Sequence, residues 1–440
     1  MKTYRLLARK LNPIRYISRI KSFHDNNPTA SNYAIDGLLA LGAINLAINN
    51  NNLFAQRLGA GDFHLAMIQF LPQMLNLFFL VPVGLLVDSL ANKRRMLSGT
   101  MVVAAVFFLG GGAAGFTTAQ PLFFFLGFLA LANASIMMYS ITWQGYFPEV
   151  VEEGRRNSVL TLRHRVGILV ALSIPLISGS VLAAIPSEEG KILAHQIFYG
   201  IVALMLIANA LHLKKIKAIN PAPPKKIQIS EIKKAGSRLL KNRQFKVFAG
   251  VALLFHMAWQ IDWTLGFIGQ ANYLQMNEFQ LGLAVVGSTT VQFLTLKFWS
   301  KRNQRFGVEK TLTFGVLGLA LNPIAMIIAT SLPLWAGPTM FLILNSLALV
   351  AFATIGLNFF QCLMPVLDTE YRGFSISVYT CIMTLSNAIM PIVGVAIYRG
   401  LGGDLNGLRM TYAIIFVLRL IAAGVWWIRC RYVTAAEPSG

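Results

Sequence analysis

The residues of this sequence with the clearest chemical potential are ionisable side chains within long apolar stretches. Asp262 and His256 lie in one such stretch, and Asp36 lies near the start of another. An ionisable group in apolar surroundings is costly and therefore points to function. Such surroundings favour the neutral form of a carboxyl, so Asp262 is suited to bind and release a proton, with Asp36 and His256 as further candidates. The alternative is an aspartate that hydrogen bonds fix as a structural anchor.

Uncharged polar side chains form a second pattern, because they recur at helical spacing in several apolar stretches. In a membrane helix such residues face other helices or water. Amides combined with Trp suit a polar or amphipathic organic ligand, bound by hydrogen bonds and ring stacking. The alternative is that the amides pair with each other where helices meet. The candidate cavity residues are Asn45, Asn49, Asn52, Gln56, Asn133, Ser140, Gln144, Trp259, Trp263, Asn358 and Gln361.

Motifs of enzymatic chemistry are missing from the sequence. It contains no metal-ligand spacing, phosphate-binding loop or nucleophile elbow. Glu149, Glu152 and Glu153 cluster beside two arginines, as loop charges commonly do. The three cysteines are too few and too badly placed for a disulfide framework. We therefore expect no catalytic residue, no metal site, no cofactor and no enzymatic activity.

Composition shows which kind of element must position these residues. Of 440 residues, 55% are apolar and only 12% are charged, against about 25% charged in a soluble domain. Crossing a bilayer takes about twenty apolar residues, so the apolar content suffices for roughly twelve transmembrane helices. This excludes a soluble enzyme, a disordered scaffold and a β-barrel porin, whose strands are only about half apolar. The expected fold class is an all-α membrane protein.

Twelve apolar runs can be located along the chain, six before and six after a polar break. Residues 230–242 in this break are expected to form a short amphipathic helix on the membrane surface. The predicted parts are a basic N-terminus (1–29), a first six-helix bundle (30–213), a linker (214–245), a second six-helix bundle (246–430) and a C-terminal tail (431–440). The runs cover residues 30–55, 64–87, 96–117, 120–146, 160–185, 192–213, 246–270, 279–299, 310–330, 333–363, 372–398 and 408–429.

Charge gives the orientation of these helices. By the positive-inside rule, the side richer in Lys and Arg is cytosolic, so both termini and the linker are predicted to be cytosolic in the cytoplasmic membrane. The net charge of +21 is therefore a topology signal, and no nucleic-acid partner is expected. No signal peptide follows the basic N-terminus. All but five of the 38 Lys and Arg residues fall on the predicted cytosolic side, the exceptions being Arg57, Lys191, Arg399, Arg409 and Arg419.

The two halves of the chain repeat each other. Residues 58–67 align with residues 274–283 at an offset of 216. Near the same offset, Gln, Pro and Arg recur with equal spacing in residues 144–155 and 361–372. Two six-helix units in parallel repeat form a transporter architecture, in which the binding site lies between the units near the middle of the membrane.

The loop between the second and third runs carries a family resemblance. Gly84, Asp88 and the basic Lys93, Arg94 and Arg95 resemble the loop motif of the major facilitator superfamily, although the residues at 89, 91 and 92 depart from it. The aligned residues 300–310 have lost the Asp of the motif but keep its Arg and Gly. With the repeat and the twelve runs, the resemblance covers about residues 30–430. The chain resembles bacterial-type members of the superfamily, and the resemblance identifies no subfamily.

The resemblance implies a fold of two pseudo-symmetric six-helix bundles and secondary transport by alternating access. It also implies that spans 1, 4, 7 and 10 surround the substrate cavity. Asp88 is then expected to cap the N-terminus of span 11 when the cytosolic side closes. The alternative is a loop Asp that only neighbours basic residues. The implied gate consists of Gly84, Asp88, Lys93, Arg94, Arg95, Arg372 and Gly373.

Three further features bear on coupling and direction. Gly167, Pro175 and Gly179 resemble the span 5 pattern of exporters in this superfamily, although residues 173, 174 and 178 depart from it. Ordinary helix packing is the alternative, because Gly and Pro are common in membrane helices. Span 4, however, lacks the Arg that is typical of proton-coupled exporters, so proton coupling does not follow from the resemblance. Arg163 or Arg165, near the start of span 5, is expected to extend to the membrane surface, with substrate binding as the alternative. Arg419 is expected to face outward on span 12 and to have a structural role.

The function expected from the sequence is transport of a small polar or amphipathic organic solute by a monomer in the lipid bilayer. Protons are the candidate coupling ion, and the span 5 pattern leans towards efflux. The alternative substrate is a sugar-like solute, and the alternative direction is uptake. A non-transporting sensor or membrane-assembly factor of the same fold is the alternative function.

Overall fold

Twelve long helical spans make up the fold. The computed structural model describes residues 28–117, 119–219, 229–367 and 372–436, and no strand occurs among them. Twelve helical segments in this part are long and apolar enough to cross a membrane, which confirms the predicted fold class. Spans 1 to 12 are Pro28–Arg57, Asp62–Val87, Lys93–Phe116, Pro121–Val150, Glu153–Ala184, Glu188–Leu213, Arg243–Tyr273, Glu278–Phe306, Val308–Ser331, Gly337–Val366, Ser375–Gly400 and Leu405–Tyr432.

An even number of spans returns the chain to the side of the bundle on which it began. That side also carries the connection between spans 6 and 7, so we call it the linker side and its opposite the far side. Residues 1–27 and 220–228, which include most of the basic N-terminus, lie outside the described residues. A helix of residues Ile229–Lys241 follows in the linker, close to the predicted range, and its Leu239 is buried in the core of the second half.

Local sequence explains where several spans begin. Asn92, Asn242 and Asn277 each accept a hydrogen bond from a backbone N–H of the first helical turn, at 3.2, 3.1 and 2.9 Å. An Asn in this position satisfies an N–H that the helix itself cannot pair. Asp62 and Glu278 are the first residues of spans 2 and 8, where the helix dipole favours a carboxylate. Helix-start chemistry thus places two carboxylates on the far side.

Three spans of the second half are interrupted, which the sequence analysis did not predict. The breaks lie at residues 261–262 in span 7, 320–321 in span 9 and 349–351 in span 10. Pro323 follows the break in span 9, and it has no N–H with which to continue the first helix. The corresponding spans 1, 3 and 4 of the first half are continuous over the equivalent residues.

The two halves have the same internal arrangement. In the first half, span 3 packs against spans 4 and 6, and span 1 packs against spans 5 and 6. In the second half, span 9 packs against spans 10 and 12, and span 7 against spans 11 and 12. The halves contact each other mainly through span 2 with span 11 and span 5 with span 8. These two contacts are related by the repeat, because a shift of six spans turns one into the other.

Candidate functional site

A charged cluster on the far side connects the two halves. Glu278 of span 8 pairs with Arg57 at the end of span 1 and with Lys191 of span 6, whose Nζ lies 2.8 Å from Glu278 Oε1. Arg57 Nε lies 3.0 Å from Glu188 Oε2, and its Nη1 lies 2.7 Å from Nε2 of the buried His195. The side chains of Arg57 and Glu278 are each only 9% exposed, so water and salt screen their ion pair weakly.

A second ion pair joins the halves on the same side. Asp62 of span 2 lies 2.6 Å from Nη2 of Arg399 at the end of span 11. Asp62 and Glu278 are aligned in the repeat, so the same repeat position supplies the carboxylate of both connections. Gln56 also donates a hydrogen bond of 3.1 Å to Asn272 Oδ1 of the other half. We call these contacts between the halves the far-side closure. The repeat supplies the carboxylate of each of its two ionic connections.

Spans 5 and 8 approach each other main chain to main chain beside the charged cluster. A Cβ atom on Gly179 would lie 2.5 Å from the carbonyl oxygen of Glu278, and one on Gly282 would lie 2.5 Å from that of Pro175. Side chains do not tolerate such distances, so glycine at these two positions is what permits the contact. The far side is therefore closed in this structure.

The ion pairs described above that join the halves lie on the far side, whereas the linker side has a buried ion pair within one half. Lys93, a predicted gate residue, pairs with Glu149 inside the first half, and both are buried. The interpretation of Glu149 as a loop charge is therefore wrong. Span 4 continues to Val150 and carries this carboxylate into the helix bundle, where Lys93 neutralises it.

The predicted gate is only partly described. Arg94 Nη1 donates to the carbonyl oxygen of Lys214 over 3.1 Å, and Arg95 is exposed. Gly84 has open space around it, since a Cβ atom there would meet nothing within 4 Å. The contact with the start of span 11 stays a prediction, because three gate residues have side chains outside the described part of the structure, namely Asp88, Arg372 and Gly373.

A buried ionic site, which we call the Asp36 cluster, occupies the interior of the first half. Asp36 of span 1 is fully buried and accepts hydrogen bonds from Tyr139 of span 4 at 2.6 Å and from Asn209 of span 6 at 3.2 Å. Its second oxygen lies 3.2 Å from Nε of Arg163, which comes from span 5. Four helices thus contribute to one carboxylate site, which lies deeper in the bundle than the sequence position of Asp36 indicated.

Arg163 forms the accessible edge of the Asp36 cluster. Its side chain is 18% exposed, and its guanidinium carbon lies 4.2 Å from the ring centroid of Trp143. The expectation that Arg163 extends to the membrane surface is wrong, because a buried carboxylate and an aromatic face hold it inside the bundle.

A second buried ion pair lies in the second half. Both carboxylate oxygens of Asp262 lie 2.8 Å from Nη2 of Arg419, and both residues are buried. The expectation that Arg419 faces outward on span 12 is therefore wrong, since its guanidinium points to a carboxylate and to main-chain carbonyls within the bundle. Asp262 is thus an ion-pair partner in this structure, and its role in proton coupling stays a prediction.

Arg419 also binds the ends of two interrupted helices. It donates to the carbonyl oxygens of Ala258 and Trp259 before the break in span 7, both at 3.0 Å. It also donates to the carbonyl oxygen of Leu319 before the break in span 9, at 3.3 Å. A break leaves carbonyls without intrahelical partners, and inside a membrane these need another donor. Arg419 supplies these donors and Asp262 balances its charge.

Most donors of the predicted polar stripes bond within their own helix. Such a bond uses a side-chain donor and leaves the amide oxygen as an acceptor. Two stripe residues instead pair across helices, Gln56 with Asn272 and Asn358 with Asn303 of span 8. The alternative in which amides pair where helices meet applies to these two. The donors that bond the carbonyl oxygen four residues earlier are on Asn45, Asn49, Asn133, Ser140 and Gln361.

The remaining cavity candidates differ in their surroundings. Gln144 is exposed near the linker side of span 4, and Asn52 is half-buried on span 1. Trp259 packs edge-on against Trp263, with ring centroids 5.4 Å apart, and both are half-buried. The ring of His256, one turn away, is also half-buried and makes contacts of 5 to 6 Å with aromatic neighbours on spans 7 and 10. Span 7 therefore presents an aromatic surface.

Comparison with known proteins identifies the fold. No protein-family model and no curated protein sequence matches the chain. A solved structure of the nucleoside transporter NupG matches with a TM-score of 0.67 and 13% identity, over 91% of this chain and 98% of its own. A bacterial homologue of the iron transporter ferroportin, in an inward-facing state, matches with a TM-score of 0.68 and 14% identity, over 92% and 98% of the two chains. The chain has the major facilitator superfamily fold.

The major facilitator fold is shared with a further structure of known conformation. A bacterial homolog of the human lysosomal transporter Spinster, inward-facing and unoccupied, matches with a TM-score of 0.65 and 13% identity, over 92% of this chain and 97% of its own. At such identities the likeness concerns the fold alone. Within this fold, sequence reasoning missed the far-side contacts, although the aligned Asp62 and Glu278 already marked the carboxylate of each ionic connection between the halves.

Proposed function

We propose that this protein is a secondary transporter that moves a small polar or amphipathic organic solute across the membrane by alternating access. The observation that carries the proposal is the far-side closure, in which the repeat-related Asp62 and Glu278 each bind basic residues of the opposite half. An alternating-access cycle needs contacts of this kind, because the halves must separate at one end when they close at the other. The major facilitator fold supports the same function.

The proposed orientation puts the linker side in the cytosol of a bacterial-type cell, with the protein in the cytoplasmic membrane. The support is the concentration of Lys and Arg on that side. The far side, which is closed in this structure, then faces the outside. A Cys at Ser230, in a variant without the native cysteines, should react with an impermeant reagent only after the cells are permeabilised. Labelling of intact cells would reverse the orientation.

The proposed substrate class follows from the groups that remain available at the predicted cavity. Asn45, Asn49 and Asn133 keep their amide oxygens as acceptors, because their N–H groups bond their own helices. Trp259 and Trp263 add ring surfaces. A solute with several hydroxyl or N–H donors and an apolar or planar part matches both the amide oxygens and the ring surfaces. Sugar-like solutes and amphipathic metabolites both belong to this class. Measuring the direction of transport decides between uptake and efflux.

We further propose that Asp36 binds the coupling proton. Asp36 pairs with Arg163, whose side chain reaches the accessible edge of its cluster. Its other partners, Tyr139 and Asn209, are neutral and can stay bonded to a protonated carboxyl. Asp262 is held by Arg419, which also binds the carbonyls of two interrupted helices. Neutralising Asp262 would leave a buried guanidinium without its counter-ion, which is strongly unfavourable. The sequence-based candidate Asp262 is the competing prediction, and His256 is the third candidate.

The test is flux in reconstituted proteoliposomes. A thermal-shift screen of sugars, nucleosides and amphipathic amines first selects a ligand, because binding to the folded state raises apparent stability. Uptake and efflux of that ligand are then measured with and without an imposed pH gradient. Accumulation that follows the gradient supports a proton-coupled transporter. A ligand that binds but is never transported favours the alternative of a sensor or membrane-assembly factor.

A further inference from the structure

The second half carries a groove on its lateral surface, between spans 8, 9 and 10. The groove has a volume of about 500 Å³, and the side chains that line it are all apolar. Three of them, Phe314, Leu321 and Leu347, are about half exposed at the surface of the protein. In a chain of twelve membrane spans, such a lateral opening faces lipid. We call it the span 8–10 groove.

The groove is formed by the two interruptions of spans 9 and 10. The breaks at residues 320–321 and 349–351 lie among its lining residues. The interruption of span 10 leaves the carbonyl oxygen of Val350 free, and the indole Nε1 of Trp299 donates to it over 2.8 Å. The freed main chain is thus satisfied by a groove residue, and the groove keeps an apolar surface.

The groove has a polar backing that holds its walls in place. Asn322, directly after the break in span 9, donates to Asn345 of span 10 over 2.8 Å and accepts from Arg419 over 3.2 Å. Asn345 in turn donates to Ser288 of span 8 over 3.2 Å. These bonds connect all three walls of the groove to Arg419, which also binds Asp262 of span 7. The shape of the groove is therefore linked to the interior of the second half.

The groove begins within the linker-side leaflet of the bilayer. Phe314 lies six residues after the start of span 9 on the linker side, and Leu321 lies seven residues further along. At about 1.5 Å of rise per residue, these side chains sit roughly 10 Å and 20 Å from the linker-side end of the span. With Ile328 of span 9 and Leu344 of span 10 also in its lining, the groove extends from below the linker-side membrane surface past the middle of the bilayer.

Basic side chains lie at the linker-side end of the groove. Lys310 precedes Phe314 by four residues, so the two share a face of span 9. Arg302 follows Trp299 by three residues on span 8. Both Lys310 and Arg302 are exposed, at the level where lipid headgroups lie. The adjoining turns of spans 8 and 9 add further cations.

The nearby acidic residue does not neutralise this end of the groove. Glu309 is the only carboxylate in residues 297–310, a stretch that holds five Lys and Arg residues. Its Oε1 accepts a hydrogen bond of 3.0 Å from Arg429 of span 12. Glu309 therefore points to the opposite side of span 9 from Phe314. The surface above the groove keeps a net positive charge.

We propose that the span 8–10 groove is a binding site for an anionic phospholipid of the linker-side leaflet. One acyl chain occupies the groove between the interrupted helices. The phosphate of the headgroup lies against Lys310 and Arg302, because basic residues at headgroup level attract anionic lipids. A zwitterionic lipid with the same chains fills the groove but gains less from the two cations, so the site discriminates by headgroup charge.

The first half offers an internal comparison for this site. The repeat offset relates the two breaks to residues 104–105 of span 3 and 133–135 of span 4, which lie within continuous helices. It relates Lys310 to Arg94, whose guanidinium binds the carbonyl oxygen of Lys214. The repeat therefore does not build a second copy of the groove from interrupted helices. We expect one retained anionic lipid per chain at this site.

The experiment is native mass spectrometry of the purified full chain with phosphatidylglycerol or phosphatidylcholine of identical acyl chains. Ala348→Phe fills the groove, and Lys310→Gln removes a headgroup contact. The matched controls are Ala208→Phe on the lipid-facing surface of span 6 and Lys233→Gln on the linker helix, both exposed positions remote from the groove. Wild type should retain one phosphatidylglycerol in preference to phosphatidylcholine. Lys310→Gln should weaken this binding about fivefold, the effect of one basic residue near an anionic headgroup.

The outcomes separate the site from ordinary boundary lipid. Loss of the retained lipid in Ala348→Phe with an unchanged helical circular dichroism spectrum, and full retention in both controls, supports the proposal. Equal retention of the two lipids by wild type overturns it, since the cations then contribute nothing. Unchanged phosphatidylglycerol binding in Lys310→Gln also overturns it. That second variant is decisive even where Ala348→Phe fails to fold, because Lys310 is exposed.

Discussion

Gln56 and Asn272 hydrogen-bond to each other across the two halves from equivalent positions of the repeat, 216 residues apart, with Nε2 and Oδ1 separated by 3.1 Å. Two equivalent positions can touch only where the pseudo-two-fold axis passes between them. The bond therefore shows where this axis crosses the far side of the molecule. Around it, Asp62 and Glu278 take up related positions and bind the opposite halves. The far-side closure is thus a symmetric structure with unequal partners.

Removing the charge of Glu278 should open the far side. Glu278→Gln leaves the largely buried Arg57 with a weaker partner, and breaking such a pair costs about 3 kcal/mol. The conformational equilibrium should shift towards the state that is open on the far side. Double electron–electron resonance between spin labels at Phe116 and Trp335, both exposed on the far side, should show a new, longer distance.

The matched control for this variant is Glu188→Gln. Glu188 also contacts Arg57 and Lys191, but its side chain is 67% exposed, so its charge is screened and contributes little. The distance distribution should stay that of wild type. An equal shift in both variants would mean that the buried pair with Glu278 stabilises the closed far side no more than the exposed pair with Glu188.

The repeat-related Asp62→Asn should have a smaller effect than Glu278→Gln. Arg399, its partner, is 59% exposed, and exposed ion pairs contribute about 0.5 kcal/mol. The same pair of spin labels should report a shift of population severalfold weaker than that of Glu278→Gln. A larger shift for Asp62→Asn would contradict the view that burial, rather than repeat position, sets the strength of each connection.

Coupling should depend on Asp36. Asp36→Asn mimics the protonated carboxyl, so it should abolish accumulation driven by a pH gradient and preserve exchange of solute across the membrane without a gradient. Transport by proteoliposomes under both conditions measures this. Asp262→Asn is compared in parallel as the sequence-based candidate. If Asp262→Asn uncouples transport while Asp36→Asn accumulates solute like wild type, the coupling site is in the second half.

Arg419 should be a stability residue. Arg419→Met leaves Asp262 as a buried unpaired charge and deprives two interrupted helices of a donor, so we expect a loss of about 3–5 kcal/mol of stability. The apparent melting temperature in detergent should fall well below that of wild type. Arg431→Met, on the same span but exposed, serves as the control and should melt close to wild type. Equal melting temperatures for both variants would remove the structural role of Arg419.

Asp88→Asn tests the gate implied by the family resemblance. Loss of a carboxylate at the N-terminus of span 11 should weaken the closed linker side by about 0.3–2 kcal/mol. Transport should fall, and spin labels across the linker side should report more of the state that is open on the linker side. Identical distances in wild type and variant would count against the gate role of Asp88.

Much of the fold was predictable because its signals are repetitive. The fold was indicated by twelve apolar runs, by basic residues in alternate loops and by the repeat offset of 216. Each of these signals is summed over many residues, so a single unusual residue does not change the prediction. The breaks in spans 9 and 10 are different. Pro323 gave a local sign for the first, but the residues at 349–351 are ordinary helix formers, and nothing in the structure explains why span 10 breaks there.

The candidate sites were less predictable, because they depend on which distant residues meet. Arg163 and Arg419 were assigned to the surface from their positions in single spans, yet each is the partner of a buried aspartate on another helix. Nothing in one span reveals its neighbour. The excess of basic over acidic residues also hid these pairs, since a chain with 38 cations offers many partners for 17 carboxylates.

The contact of Gly179 and Gly282 with carbonyl groups of the facing helix leaves no side-chain layer between spans 5 and 8. A methyl group at either glycine would lie 2.5 Å from a carbonyl oxygen, so the two main chains would have to move apart. An alanine at either position would therefore act as a wedge that disfavours the closed far side without touching a charge. Such a wedge would help to capture the form that is open on the far side for structural study.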